Sequence, residues 1–292
     1  MLKTGSQKGQ AMKICDLHTH STFSDGTFTP TELVSYAAEK GLSAVALTDH
    51  NTSKGLSEFM EAGRNYHVIT VPGCEFTTDY EGTELHIVGL FFAEETWPEV
   101  EDYLELAHIA KQTSNTKMIN NFRAAGYDIT YEEAAALTDA EDFNRAHVAR
   151  VLLAKGYVSS VKEAFDTVLK EGAGFYVPAK RLGALATIRF IKMYGAAAIL
   201  AHPFLNLTYS GLTEFLPLAK EAGLDAIETR YSMFDEKTTE KAIELAQRFG
   251  LKQSGGSDFH GKAKPDIDLG NGRGTLCVPF SFYESLRPEQ QE

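Results

Sequence analysis

Six of the nine histidines in this chain sit at or beside the ends of short apolar runs that a turn or a helix-like segment follows. The runs are DLHTHSTFSDG, with His18, His20 and then Asp25; SAVALTDH, ending in Asp49 and His50; HVITVPGCEF, ending at Glu75; ELHIVGLFF, carrying His86; AAAILAHP, with His202; and LKQSGGSDFH, with Asp258 and His260. Where parallel strands alternate with helices, the loops after the strands' carboxyl ends converge on one face. A chain with this pattern is confined to arrangements that gather those ends. The segments between the runs have helical signals. TPTELVSYAAEKG places Thr29 as N-cap, Pro30 in the first turn, Glu32 to complete a capping box and Gly41 past the end. A helix is expected from about Ser53 to Gly63, and GALATIRFIKMYG, LTEFLPLAKEAG and DEKTTEKAIELAQRFG read as three more, separated by the strand DAIETR and followed by a last strand, RGTLCVP. The alternation predicts parallel α/β packing, as a barrel or an open sheet.

The rhythm breaks between about Thr96 and Gly174, where only helical patterns occur; Thr96 with Glu99, Thr130 with Glu133 and Ser160 with Glu163 fit the capping-box spacing. This predicts an all-helical subdomain, residues 99–174, inserted into a discontinuous α/β body of residues 12–98 and 175–288. Residues 1–11 are small and polar and read as a disordered leader or cloning remnant. No apolar run approaches ~18–20 residues, so no membrane span is expected. Three cysteines without a CxxC pair argue against a disulfide framework and suggest a cytoplasmic protein. The net charge of −12, with no basic stripe, argues against a protein that tracks long nucleic acid. A small or short anionic substrate stays compatible, because bound cations reverse the field locally.

A lone strand histidine is ordinarily a hydrogen-bonded core residue, and a lone Asp after a strand ordinarily caps the next helix. The joint pattern is different. Six imidazoles with Asp25, Glu75 and Asp258, buried on one face, would be costly without cations. Imidazole and carboxylate without thiolate suit Mn, Zn or Fe. Nine side chains exceed what two ions need if positions stay open for substrate; with a bridging carboxylate they fit three divalent ions. Asp16 and Asp49 adjoin this set, either to orient imidazoles from behind or as plain turn residues. Cys15 and Cys74 are expected to point into the core, and His67 and His108 are read as ordinary structural or surface residues.

DLHTHSTFSDG, TDHNT, GCEFT, LHIVG, AHP and GSDFH, in this order over residues 16–260, resemble the motifs of the PHP (polymerase and histidinol phosphatase) superfamily of metal-dependent phosphoesterases. The resemblance implies a distorted (β/α)7 barrel with a trinuclear site. One metal would take His18, His20, Glu75 and Asp258, a second Asp25, His50 and His260, and a third His86 and His202 with Glu75 bridging. In the helical stretch, NRAHVARVLLAKG is similar to the segment GR-x-H-x-AR-x-L of the nucleotide-acting branch, with Asn144 in place of the usual glycine. That branch implies release of phosphate from 3′,5′-nucleotide bisphosphates or trimming of short 5′-phosphorylated RNA. Arg145 and His147 would then face the metals and hold a phosphate; without the resemblance they read as solvated positions opening a helix, and Arg150 as a surface residue. By formal charge, three dications set against three carboxylates and a hydroxide leave a site suited to a phosphate monoester dianion. The expected reaction is in-line attack by a metal-bridging hydroxide whose pKa is lowered toward ~7, with Arg145 offering a planar donor pair and His147 as candidate general acid. Two other readings compete: a histidinol-phosphate-type phosphatase, against which the helical insert counts, and a non-catalytic metal-binding accessory domain, against which the complete ligand set counts. Lys180 and Arg181, after FYVP, could reach substrate but read rather as a solvated pair.

Overall fold

The computed structural model describes residues 13–138 and 142–288; the leader read in residues 1–11 lies outside the described residues. Its sheet is built from β1 (Cys15–Asp16), β2 (Ala44–Leu47), β3 (Ile69–Tyr80), β4 (Thr83–Leu90), β5 (Leu182–Gly183), β6 (Ala197–Leu200), β7 (Ala226–Tyr231) and β8 (Lys252–Gly256). Seven strands run in the order β1-β2-β3-β4-β6-β7-β8, with β5 paired to the tip of β3. Bonds from Leu17 N–H to Gly255 O (3.2 Å) and Asp258 N–H to His18 O (2.9 Å) join the two ends of that order, so the sheet nearly closes into a barrel. All pairings are parallel except those of β4, which runs antiparallel to both β3 and β6. This is the distortion of the expected (β/α)7 barrel. No helix among the described residues is long and apolar enough to cross a membrane.

The barrel's helices are α1 (Pro30–Glu39), α2 (Leu56–Tyr66), α7 (Ala184–Met193), α8 (Tyr209–Glu221), α9 (Glu236–Arg248) and α10 (Phe280–Leu286). The Thr29–Glu32 capping box of α1 forms as expected. Between β4 and β5 lie α3 (Trp97–Ala124), α4 (Tyr131–Ala135), α5 (Arg145–Ala154) and α6 (Val161–Asp166). The Thr130–Glu133 box opens α4, and Ser160 caps α6. The Thr96–Glu99 box does not form: Glu94–Thr96 is a 3₁₀ turn that runs straight into α3, and the Thr96 hydroxyl donates back to Ala93 O. These helices bury an apolar cluster of their own around Met118, Phe122, Phe143, Val148 and Leu152. Helix α3 serves both bodies, since its first turns place Val100 and Leu104 in the barrel's cluster.

Two strand expectations need correcting. RGTLCVP is not a strand: Gly272 and Gly274 turn the chain at positive φ, and the segment touches the sheet through bonds at Cys15 and a bridge from Pro279 to Ile14. Nor does β3 end at Glu75. It continues through Thr77, Thr78 and Tyr80, good strand formers, and reverses at Glu81-Gly82, both at positive φ, as a tight hairpin turn requires.

The barrel interior changes character along its axis. Side chains alternate faces along a strand, and the apolar interior cluster includes Val71 of β3, Val88 and Leu90 of β4, and Ala226 of β7. The same faces continue into Glu75, His86 and Glu228. At this end β8 presses on the segment after β1, where a Cβ on Gly256 would lie 2.3 Å from His18 Cβ and 2.5 Å from its nitrogen. Gly256→Ala is therefore expected to lower unfolding free energy by about 1–3 kcal/mol, the range for overpacking. The control Gly183→Ala, whose new methyl meets nothing nearer than 3.9 Å, should stay within ~0.5 kcal/mol. Urea denaturation of both variants checks this, and equal loss would mean that the close approach of β8 is not a constraint.

Candidate metal centre and the cleft above it

Glu75, fully buried, is the hub. Its Oε2 lies 3.1 Å from His18 Nε2, 3.3 Å from His20 Nε2 and 3.1 Å from His50 Nδ1. Its Oε1 lies 2.9 Å from His86 Nδ1 and 3.0 Å from His202 Nε2. Asp258 Oδ1 stands 3.2 Å from His20 Nε2, and Asp25 Oδ1 stands 3.0 Å from His260 Nε2. All nine candidate ligands thus meet in one cluster. Four overlapping groups within it could hold a metal ion: His20, Asp25, His50 and His260; His18, His20 and Asp258; His18, Glu75 and His202; and His50, Glu75 and His86. The last two divide differently from the expected trio of Glu75, His86 and His202.

The atoms fit cations rather than one another. Among the described residues nine buried side-chain nitrogens and oxygens lack a hydrogen bond, and seven of them belong to this cluster, including His18 Nε2, His50 Nδ1, His260 Nε2 and Glu75 Oε2. Partners behind the rings set the tautomers. His18 Nδ1 is 2.8 Å from Glu228 Oε1, His260 Nδ1 is 2.8 Å from Asp258 O, and His86 Nε2 is 3.2 Å from Glu84 Oε1. With a proton on each of those nitrogens, the other ring nitrogen turns a bare lone pair toward a carboxylate. Such a pairing repels unless positive charge lies between. Separations of 3.0–3.3 Å match those of adjacent ligands on one ion, about 2.9–3.4 Å for bonds of ~2.0–2.2 Å.

Protons compete for the same positions. Burial disfavours a charged His20, but hydrogen bonds and charge from Asp258 and Glu75 outweigh it and hold the ring up to about 9. Glu75 and Glu84 likewise outweigh burial at His86 and hold it up to about 10. At His50 burial wins, and the ring is pushed down to about 3. Glu75 and Asp258, against their burial, are held well below the usual carboxylate range by the surrounding imidazoles.

The supporting residues differ from those expected. Asp16 accepts from the backbone N–H groups of His18, Ser257 and Gly270, and Asp49 from Ser21 N–H and the hydroxyls of Ser21 and Ser24. Both brace the loops that carry ligands rather than the imidazoles. The residues behind the rings are Glu228 and Glu84. Glu228 also accepts from His202 N–H at 2.6 Å, while the Tyr231 hydroxyl and Lys264 Nζ donate to Asp258 Oδ2 at 2.9 and 2.7 Å. Sequence reasoning missed all four. A glutamate on the inward face of the apolar run DAIETR was the available signal for Glu228. The backbone is strained at the centre: Asn51, His202 and Asp258 adopt positive φ without being glycine.

Above the cluster opens a cleft of about 420 Å³, walled on one side by Asp25, His50 and His86 and on the other by the helices. Asn144 caps α5 with its side chain, and its N–H donates to His147 Nδ1 at 3.0 Å. Arg145 lines the cleft with its guanidinium 4.3 Å from the ring centre of Tyr176 and 5.7 Å from that of Phe165, and with Nη1 3.4 Å from Leu169 O. Arg181 pairs with Glu84 at 2.5 Å on the rim. A second lobe beyond Asp25 and His147 is lined by Arg150, Lys262 and Lys264. His108, read as ordinary, is a buried wall residue that joins Asp142 Oδ2 to Asn51 O.

Comparison with known proteins agrees with this geometry. The model of the PHP domain family matches residues 16–180, more than half of the chain. Over 246 residues the chain is 34% identical to a 5′-3′ exoribonuclease of Haemophilus influenzae, covering 84% of this chain and 89% of that one. It is 30% identical over 251 residues to a phosphoribosyl 1,2-cyclic phosphate 1,2-diphosphodiesterase of Eggerthella lenta (85% and 94% covered). It is also 30% identical over 258 residues to a 3′,5′-nucleoside bisphosphate phosphatase of Chromobacterium violaceum (88% and 90%). A Bifidobacterium adolescentis structure described as a candidate metal-dependent phosphoesterase superposes with a TM-score of 0.80 at 26% identity, over 95% of this chain and 96% of that one. With its barrel, its clustered imidazoles and carboxylates and these relatives, the chain belongs to the PHP domain family of metal-dependent phosphoesterases.

Proposed function

We propose that this protein hydrolyses a terminal phosphate of a small nucleotide carrying a second phosphate, a 3′,5′-nucleoside bisphosphate, using three divalent metal ions (Mn, Zn or Fe) held by His18, His20, Asp25, His50, Glu75, His86, His202, Asp258 and His260. The observation that carries this reading is the two-walled cleft, with Asp25, His50 and His86 of the nine converging candidate ligands on one wall and Arg145 and His147 on the other. Bound divalent ions supply Lewis acidity: they lower the pKa of water and offset phosphate charge. The chain's own residues do the rest. Glu228, Glu84 and the Asp258 carbonyl hold His18, His86 and His260 in the tautomers that leave a lone pair facing inward. Arg145, stacked on Tyr176, presents a fixed planar donor pair to a phosphate. His147 holds that phosphate as well. With its Nδ1 accepting from Asn144 N–H, and burial foremost among the effects that lower its pKa, the ring is a neutral Nε2–H donor. That form suits binding a phosphate oxygen and suits poorly the general-acid role expected for it.

The C. violaceum relative is named a 3′,5′-nucleoside bisphosphate phosphatase and the H. influenzae relative a 5′-3′ exoribonuclease. The second lobe favours trimming of short 5′-phosphorylated RNA as a second activity, because it adds Arg150 and Lys262 to the lining beyond Asp25 and His147. Metal-loaded protein should release phosphate from adenosine 3′,5′-bisphosphate at least about 100-fold faster, by kcat/KM, than from histidinol phosphate, and should shorten a 5′-phosphorylated tetranucleotide. Preference for histidinol phosphate, or release from none of the three with Mn or Zn, would overturn the reading.

The centre also predicts a pH dependence. Because His20 and His86 are held up to about 9 and 10 in the metal-free protein, they carry protons at neutral pH that must leave as metal binds. Metal affinity should therefore rise as pH increases from 6 to 9. Calorimetric titration with Mn at pH 7.5, in buffers of different ionisation enthalpy, should show net proton release. Heats independent of the buffer would contradict it.

A further inference from the structure

We propose that Lys111, on the wall of the cleft that also carries Arg145 and His147, forms a second phosphate subsite that receives the non-scissile phosphate of the substrate. This rests on the bisphosphate reading above and adds the residue that would distinguish two phosphates from one. Helix α3 turns one stripe toward the other helices and the barrel, and that stripe runs from Leu104 through His108 and Lys111 to Ser114, Asn115 and Met118. Its middle is polar where it meets the cleft. His108 bridges Asp142 and Asn51, the Ser114 hydroxyl donates to Val177 O at 2.5 Å, and the Asn115 amide donates to Phe143 O at 2.8 Å. Lys111 is the exception: a half-buried ammonium on the cleft wall with no hydrogen bond or ion pair among the described residues. A partly desolvated cation without a partner is costly to maintain, and the charges near it offset only part of that cost. Burial opposes its protonation most; Asp142 is the strongest charge and favours it without contact, Arg145 opposes it, and Glu84 and Arg181 follow with opposite signs. Asp142 gives Oδ2 to His108 and keeps a buried Oδ1 without a hydrogen bond, out of contact with Lys111, and Glu84 is bound to Arg181 and His86.

The position fits a substrate anion. Lys111 lines the same cleft as Arg145 and His147, on the wall of helices that faces Asp25, His50 and His86, so a nucleotide with one phosphate on Arg145 and His147 has Lys111 within the same cleft. A second phosphate on the same nucleotide would there meet three unsatisfied ammonium donors. A substrate with one phosphate would leave the lysine as it is.

The test compares adenosine 3′,5′-bisphosphate with adenosine 3′-monophosphate on metal-loaded wild type, Lys111→Met and Lys111→Arg. Lys111→Met should lower the ratio of the two kcat/KM values about 10- to 100-fold, the effect of losing a hydrogen bond to a charged group. The loss should appear in KM for the bisphosphate, and Lys111→Arg should restore most of it. If both substrates slow equally and the melting temperature falls, Lys111 is a counter-charge for Asp142 and the subsite is refuted. If the wild type shows no preference for the bisphosphate, the subsite is refuted while the phosphoesterase reading stands. Release from neither substrate by the wild type refutes both.

Discussion

A carboxylate with no exposure to water and five imidazole nitrogens within 3.3 Å cannot be left uncompensated. Glu75 therefore dictates much of what surrounds it. An isolated buried carboxylate would take up a proton, yet the rings hold this one well below the usual range. Several rings in turn are anchored from behind, so that when the inner nitrogen gives up its proton a lone pair faces the carboxylate. Each arrangement is unfavourable alone. They become mutually consistent once dications stand between them, and the family to which the chain belongs is metal-dependent.

The antiparallel hairpin of β3 and β4 solves a problem of delivery. A parallel barrel strand presents its inward residues once and then needs a helix to return. Here β3 carries Glu75 upward and β4 brings His86 back down, eleven positions later, to 2.9 Å from the same carboxylate. The hairpin rises beyond the neighbouring strands, and its extension has a second use. Residues 182–183, where the chain returns from the helices, pair with Thr78 and Asp79 at its tip. Arg181 just before them binds Glu84, which binds His86. One hairpin therefore links the candidate metal centre to the wall that would hold the substrate.

The candidate ligands were legible because their signal is local: a histidine or acid beside an apolar run, repeated along the chain. The supporting residues were not. Glu228 is one glutamate in an ordinary strand, and its meaning depends on which strand lies across the barrel, a relation 210 positions long. Tyr231 and Lys264 lie only 27 and 6 positions from Asp258, but a tyrosine ending a strand and a lysine in a loop give no local sign of the carboxylate they meet. The reach of β3 was misjudged because Glu75 looked like a strand end, whereas Thr77, Thr78 and Tyr80 continue the ladder after a buried charge. RGTLCVP has the composition of a strand, but its backbone is committed to turns at Gly272 and Gly274. Lys111 is invisible in sequence, being one lysine on a long polar helix, until the fold shows which face of α3 borders the cleft.

Asn144 shows how a departure from a motif can be neutral to the site. The usual glycine there suggests that a side chain would obstruct the loop or strain the backbone. Neither occurs. Asn144 has φ −116° and ψ 176°, open to any residue, and its side chain points back to accept from Ala146 N–H at 2.9 Å. It is thus an N-cap, worth about 0.5–2 kcal/mol over an apolar residue and a few tenths over glycine. The group that orients His147 is the N–H of the same residue, which glycine and asparagine supply equally. The phosphate-holding geometry proposed for His147 depends on this backbone bond, so the exchange strengthens the start of α5 and leaves the imidazole where a glycine would have put it.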